Sequence, residues 1–120
     1  MKIMIVDDHE DMRRTLRNYI ALSQIEPLEF TECESGEDAI EQYNKLLPDF
    51  VLMDIELKTL NGFEVTEKIL KQDAKAKVII ITSYDTPGFR KKAEKIGANA
   101  FVSKDKLSDL KTILNLQQAH

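Results

Sequence analysis

Five polar side chains close short apolar runs in this 120-residue chain, and their types are those that handle charged phosphorus. Asp7 and Asp8 follow IMIV at 3–6, Asp54 ends the run in DFVLMDIELK, Thr82 ends the one in VIIITSYD, and Lys104 follows AFV in AFVSKD. In an open parallel α/β sheet, ligands bind outside the carboxyl ends of the strands, so all five groups would share one rim. Three carboxylates gathered there raise one another's pKa and destabilise the fold unless a cation lies among them. Mg²⁺ suits that role, because it takes one or two carboxylates, keeps several waters and completes its octahedron with phosphate oxygens. With the ion, Lys104 would neutralise charge on the equatorial oxygens of a phosphoryl group and Thr82 would supply a hydrogen bond. Asp54 is the natural nucleophile, since carboxylates form acyl-phosphate intermediates. Taken singly, each residue has a plainer reading: Asp8 could cap a helix, and an aspartate at a strand end is common. The coincidence of all five carries the inference. The chain has no P-loop or glycine-rich dinucleotide loop, so no nucleotide is expected.

These groups meet only if the runs are neighbouring parallel strands. Apolar runs recur at 3–6, 28–30 (LEF, the weakest), 50–53, 78–81 and 100–102, with strand starts near 2, 26, 49, 77 and 99. Those that can be judged are continuous rather than alternating, as in strands covered on both faces. Helix-period segments lie between them. The first carries Met12, Leu16, Tyr19 and Ile20 on one stripe. The second opens with the capping-box pattern Ser35-Gly36-Glu37-Asp38 and presents Ala39, Ile40, Tyr43 and Leu47. The third presents Phe63, Thr66, Ile69 and Leu70 after Asn61-Gly62. The fourth starts at Thr86-Pro87 and stops at Gly97, and the fifth repeats Leu107, Leu110, Ile113 and Leu114. Alternation this regular predicts a parallel sheet with right-handed crossovers in a single domain spanning 1–120. Pro27 and its flanking glutamates place the second strand at an edge.

Composition narrows the class. The net charge of −4 gives no reason to expect non-specific binding to nucleic acid. One basic cluster, RKKAEK (Arg90, Lys91, Lys92, Lys95), reads as a solvated helix face, with docking of a partner as the alternative. The single cysteine, Cys33, cannot form an intramolecular disulfide and is expected as a small buried residue, which fits a reducing compartment. No signal-peptide pattern and no membrane-length apolar run occur, so a cytoplasmic location is expected.

On these motifs, from MKIMIVDDHE to the last helix, the chain resembles the receiver domains of two-component response regulators. The resemblance implies an α/β flavodoxin-like (βα)5 fold, a doubly wound parallel sheet of order 2-1-3-4-5. It implies that Asp54 accepts a phosphoryl group from a histidine kinase or phosphotransfer protein. Asp8 and Asp54 would bind Mg²⁺ directly, the backbone carbonyl of Glu56 would complete the site, and Asp7 would act directly or through water. Lys104 would pair with the phosphoryl group or with Asp54, Thr82 would move towards the phosphoryl oxygen, and Phe101 would fill the vacated space as the switch aromatic. The plainer reading of Phe101 is a half-buried strand residue. The face of the fourth helix, fifth strand and fifth helix would then signal to an output domain or downstream protein, or build a phosphorylation-dependent homodimer. On this reading the chain is a signalling phosphoacceptor that catalyses its own phosphotransfer and autodephosphorylation, not an enzyme acting on an external substrate. The domain itself would touch neither nucleic acid nor membrane.

The chain departs from the family pattern at three positions. Lys58 stands where a proline is usual, four residues after the phosphoacceptor, leaving a more mobile loop or a lysine that meets a partner. Asp105 replaces the proline whose preceding bond is commonly cis, so a trans peptide is expected here and a shifted Lys104 with it. This Lys-Asp pair is similar to receivers whose regulators carry a helix-turn-helix output domain and act in transcription. The switch position holds Phe101 rather than tyrosine, which removes a hydroxyl that could mark the active state. Glu56 and Tyr84, each two residues past a site residue, either tune how long a phosphate lasts or are exposed loop residues. Two other functions stay open. One is a receiver-like interaction module that is never phosphorylated. The other is a phosphohydrolase with an aspartyl intermediate, which adjacent acids on the first strand and a length too short for a cap disfavour. The tail LNLQQAH suits a free-standing receiver and a receiver cut from a longer DNA-binding regulator equally.

Overall fold

A computed structural model describes residues 1–22 and 28–118. Five strands alternate with five helices: β1 Lys2–Val6, α1 Glu10–Leu22, β2 Glu29–Cys33, α2 Gly36–Leu46, β3 Phe50–Asp54, α3 Gly62–Gln72, β4 Val78–Thr82, α4 Pro87–Ile96, β5 Ala100–Ser103 and α5 Ser108–Gln118. The strands are all parallel, in the expected order β2-β1-β3-β4-β5. β3 and β4 are buried from end to end, which explains their unbroken apolar runs. β2 lies at the edge and is partly exposed; the strand start near 26 and Pro27 lie outside the described residues.

Helices cover both faces. One core layer joins Met4, Val6, Val51, Met53 and Ile80 to Ala39 and Tyr43 of α2, Phe63 and Ile69 of α3, and Ala93 of α4. The other joins Ile3, Ile5, Leu52, Ile79 and Ile81 to Leu16 and Ile20 of α1 and Leu110 and Leu114 of α5. Each of the larger aliphatic and phenyl side chains removed from water stabilises the fold by about 1.5–3 kcal/mol. Among the described residues no helix is long and apolar enough to cross a membrane.

The helix boundaries follow local chemistry. The Ser35 hydroxyl caps α2 by accepting from the Asp38 N–H at 3.1 Å, Asn61 caps α3 through the Glu64 N–H at 3.0 Å, and Thr86 caps α4 ahead of Pro87. Gly97 ends α4 at φ +95°, a left-handed conformation natural to glycine. Leu47 departs from the predicted stripe of α2. It is the helix C-cap, at φ 45°, and lies 63% exposed, because the chain must turn there into β3. Cys33 is fully buried, as expected, and burial pushes its thiol up to about 12.

Candidate functional site

The sheet register brings the acids together. Val6 of β1 pairs with Met53 of β3, so the next residue on each strand, Asp7 and Asp54, lie side by side. Met53 pairs with Ile80, and Thr82 pairs with Ser103, which puts Thr82 and Lys104 on the same rim. One potential ligand atom from each of Asp7, Asp8, His9 and Asp54 falls within 4.8 Å of the others. The required meeting of Asp7, Asp8 and Asp54 is therefore met.

Two of these four residues, Asp7 and Asp54, are buried, Asp8 is half-buried and His9 exposed. Asp7 is 1% exposed and Asp54 3%. Neither Asp54 carboxylate oxygen has a hydrogen-bond partner, nor does Asp8 Oδ1. Lys104 Nζ stands 3.4 Å from Asp7 Oδ2 and 3.5 Å from Asp54 Oδ1, bridging the two carboxylates. Burial, then the charge of Asp7, pushes the Asp54 carboxyl above its ordinary range, while Lys104 and the Glu56 backbone amide pull the other way. A buried unsatisfied polar atom costs about 1–3 kcal/mol, more when charged. Carboxylate oxygens of three aspartates converging on so few donors form a ligand set that fits a hard divalent cation such as Mg²⁺.

The other predicted residues divide. Thr82 is fully buried, and its hydroxyl oxygen accepts the Tyr84 N–H at 3.0 Å, leaving its own proton free to donate. The Glu56 side chain is exposed and stands outside the acid cluster. Phe101 is half-buried on β5, with the Arg90 guanidinium 4.7 Å over its ring. No cis peptide occurs among the described residues, and with the Lys104-Asp105 bond trans the lysine still reaches both aspartates.

Three residues that shape the site went unnoticed in the sequence. His9 Nδ1 hydrogen-bonds Asp7 Oδ1 at 3.1 Å and lies 3.0 Å from Asp8 Oδ1; its place directly after two aspartates was the available signal. Arg13, 6% exposed, donates to the Asp7 carbonyl at 2.6 Å and to Glu32 at 3.0 Å, tying the end of β1 to β2. No local pattern marks an arginine for burial. Gly62 opens α3 directly against β3: a Cβ there would stand 2.1 Å from the Asp54 carbonyl oxygen. The Asn61-Gly62 pair pointed to a helix start but not to this close approach.

Two open hollows flank Asp8. One, about 570 Å³, runs between the β3–α3 loop and α4 over Ile55, Phe63 and Phe89; Lys58 lines both this one and its neighbour of about 460 Å³.

The chain is similar to known proteins over most of its length. Residues 3–115 match the family model for the response regulator receiver domain. The chemotaxis protein CheY of Halobacterium salinarum is 38% identical over 104 residues, covering 86% of this chain and 83% of that protein. The response regulator protein VraR of Staphylococcus saprophyticus is 39% identical over 85 residues, covering 70% of this chain but 40% of that protein. The matched region thus spans most of the CheY relatives and under half of VraR and DegU. Among solved structures, a LuxR-family DNA-binding response regulator from Staphylococcus aureus superposes with a TM-score of 0.84 at 28% identity, over 95% of each chain. With strand order, matched length and sequence identity in agreement, the chain belongs to the response regulator receiver domain family.

Proposed function

We propose that this chain is the phosphoacceptor of a two-component relay, with Asp54 the residue that carries the phosphoryl group. The observation that carries this reading is the convergence of Asp7, Asp8 and Asp54 at the carboxyl ends of β1 and β3, with three of their buried oxygens lacking donors. Asp8 and Asp54 would hold Mg²⁺, with Asp7 bound directly or through water and the Glu56 backbone carbonyl in support. When bound, the ion supplies charge neutralisation that lets an anionic nucleophile meet an anionic phosphoryl group.

The chain's own residues do the rest. An Asp54 carboxylate oxygen attacks phosphorus as the P–N bond to a donor histidine breaks, and the electron pair leaves with the imidazole. Lys104, already 3.5 Å from Asp54, stabilises the charge spread over the phosphoryl oxygens. Thr82 turns from the Tyr84 amide and donates its free proton to the new group. Phe101 fills the space Thr82 leaves. Arg90, stacked on Phe101 and paired with Asp85, moves with it and carries the change into α4. The face of α4, β5 and α5 then binds an output domain, a downstream protein or a second copy. The same site catalyses its own hydrolysis, so the signal decays, and the relay operates in the cytoplasm with a histidine kinase or phosphotransfer protein as donor. The LuxR-family and CheY relatives support either a DNA-binding output or a stand-alone signal.

Intact mass after incubation with acetyl phosphate and Mg²⁺ tests this reading. One phosphoryl adduct is expected, lost on chelation and lost in Asp54→Ala. Labelling that persists in Asp54→Ala refutes it, and a wild-type chain that never labels while still binding metal returns the unphosphorylated interaction module.

A further inference from the structure

The basic segment RKKAEK forms most of α4, and its three lysines are exposed. Lys92 and Lys95 of α4, with Lys71 of α3, line a cleft of about 700 Å³ floored by Leu70 and Ile96; Glu67 is its one acidic lining residue. Lys92 also lines the hollow of about 570 Å³ over Phe63 and Phe89, whose far wall carries Asp8 and Glu56, so the two spaces share Lys92. The Lys92 ammonium sits 4.9 Å over the Phe63 ring between them.

Among the described residues the lysines of this cleft meet no carboxylate, and Lys92 meets only the Phe63 ring face. Lys71, Lys92 and Lys95 form no ion pair among those residues, as holds for most lysines here; what sets these three apart is that they gather on one apolar floor. Lys92 and Lys95 are three residues apart on one helix, where like charges weaken it. A basic, apolar-floored cleft on a protein of net charge −4 also concentrates acidic partners at one place.

We propose that the α3–α4 cleft docks a short acidic amphipathic helix of a partner polypeptide. Its apolar side chains at positions i, i+3 and i+7 would cover Leu70, Ile96 and Phe89, while its carboxylates meet the lysines on either rim. α4 has ten residues, so the cleft along it accommodates about 15 Å of helix, or about three turns. A nucleic-acid backbone satisfies the lysines but would set phosphates over the apolar floor, which is unfavourable. The cleft is separate from the α4–β5–α5 face, on which Arg90 covers Phe101. The inference stands on the cleft's own residues and holds whether or not Asp54 is phosphorylated.

The probe is a fluorescein-labelled peptide of about two heptads with leucine at a and d and glutamate elsewhere, followed by anisotropy. Saturable binding at low salt is expected, weaker at about 0.15 M salt. Lys92→Glu combined with Lys95→Glu weakens it about tenfold or more; Lys92→Arg with Lys95→Arg does not, and neither does the remote control Lys111→Glu. A peptide of the same charge with serine in place of leucine fails to bind. Amide chemical-shift changes fall on α3 and α4. Thermal melts of the variants, all at exposed positions, establish that each is folded. The proposal is overturned by no binding of the leucine peptide, by affinity indifferent to charge reversal, by equal binding of the serine peptide, by shifts centred on β5 and α5, or by a DNA duplex that binds the cleft more tightly than the peptide.

Discussion

Removing the charge of Asp54 should stabilise the metal-free protein. The ligand atoms of Asp7 and Asp8 lie within 4.8 Å of that of Asp54. At an effective dielectric of about 20, unit charges that far apart repel by about 3.5 kcal/mol, so the two neighbours together oppose Asp54 by about 7 kcal/mol. Lys104 at 3.5 Å offsets about 4.7 kcal/mol on the same scale. About 2 kcal/mol of net repulsion remains, before the cost of the unpartnered oxygens is added. For a 120-residue chain, 2 kcal/mol corresponds to about 8 °C in Tm. Asp54→Asn, compared with the parent in chelator at mildly alkaline pH by calorimetry or circular dichroism, should therefore melt several degrees higher. The pH dependence has a definite sign. The folded carboxyl lies above its ordinary value, so the native state holds more protons than the unfolded one between the two pKa values. The stability this group contributes is complete below the ordinary value and is lost as pH rises through the folded value. Asp54→Asn lacks that fall. Millimolar Mg²⁺ should reverse the order, since only the parent gains by binding it. An asparagine variant that melts at or below the parent in chelator, or that keeps the same pH slope, refutes the electrostatic account of the site.

Lys104→Met removes the one ammonium between Asp7 and Asp54 and should cost about 3 kcal/mol in urea unfolding; Asp54→Asn on the same chain should recover part of it. A cost below about 0.5 kcal/mol would show that the lysine is not electrostatically engaged. Gly62→Ala drives a Cβ to 2.1 Å from the Asp54 carbonyl oxygen, so unfolding should become easier by about 3 kcal/mol or more, and labelling by a phosphodonor should fall even where the variant stays folded. A variant as stable and as readily labelled as the parent would contradict this contact. Leu47→Gly should raise stability by about 0.5–1 kcal/mol, because an exposed leucine there holds a left-handed conformation that glycine adopts freely; an unchanged urea midpoint would count against it.

Much of this architecture was legible because the runs that form β1, β3 and β4 are short, continuous and bounded by polar residues, and the caps at Ser35, Thr86-Pro87 and Gly97 sit where their chemistry requires. The rim residues were legible for the same reason: a strand ending in Asp7, Asp54 or Thr82 delivers it to a predictable place. What stayed hidden depends on pairs distant in sequence. Leu47 continues the α2 period, and only the turn into β3 takes it out of the core. Arg13 looks like any charged helix residue until β2 brings Glu32 beside it. Arg90 reads as part of a basic run, and only the tertiary structure separates its role over Phe101 from that of Lys92 over Phe63.

The sheet explains how the fold tolerates so unfavourable a cluster. A one-residue slip between β1 and β3 would separate Asp7 from Asp54 and relieve the repulsion, but it would also turn Ile3, Met4, Ile5 and Val6 onto the wrong faces. Each of those side chains contributes about 1.5–3 kcal/mol by burial, more in sum than the charges oppose. The strain therefore cannot relax through the strands and stays in the acid pocket. α4 is held differently. Ala93 is its one buried residue, supported by the half-buried Phe89 and Ile96 and by the stack of Arg90 on Phe101. A change of charge at Asp54 meets a rigid floor in β3 and β4 and a lightly anchored helix beside it. The 83–86 loop joins Thr82 to α4, with the Tyr84 amide on the Thr82 hydroxyl and Arg90 paired with Asp85. On the proposed function, that asymmetry in burial, rather than any property of the acids themselves, would direct a change at Asp54 toward α4.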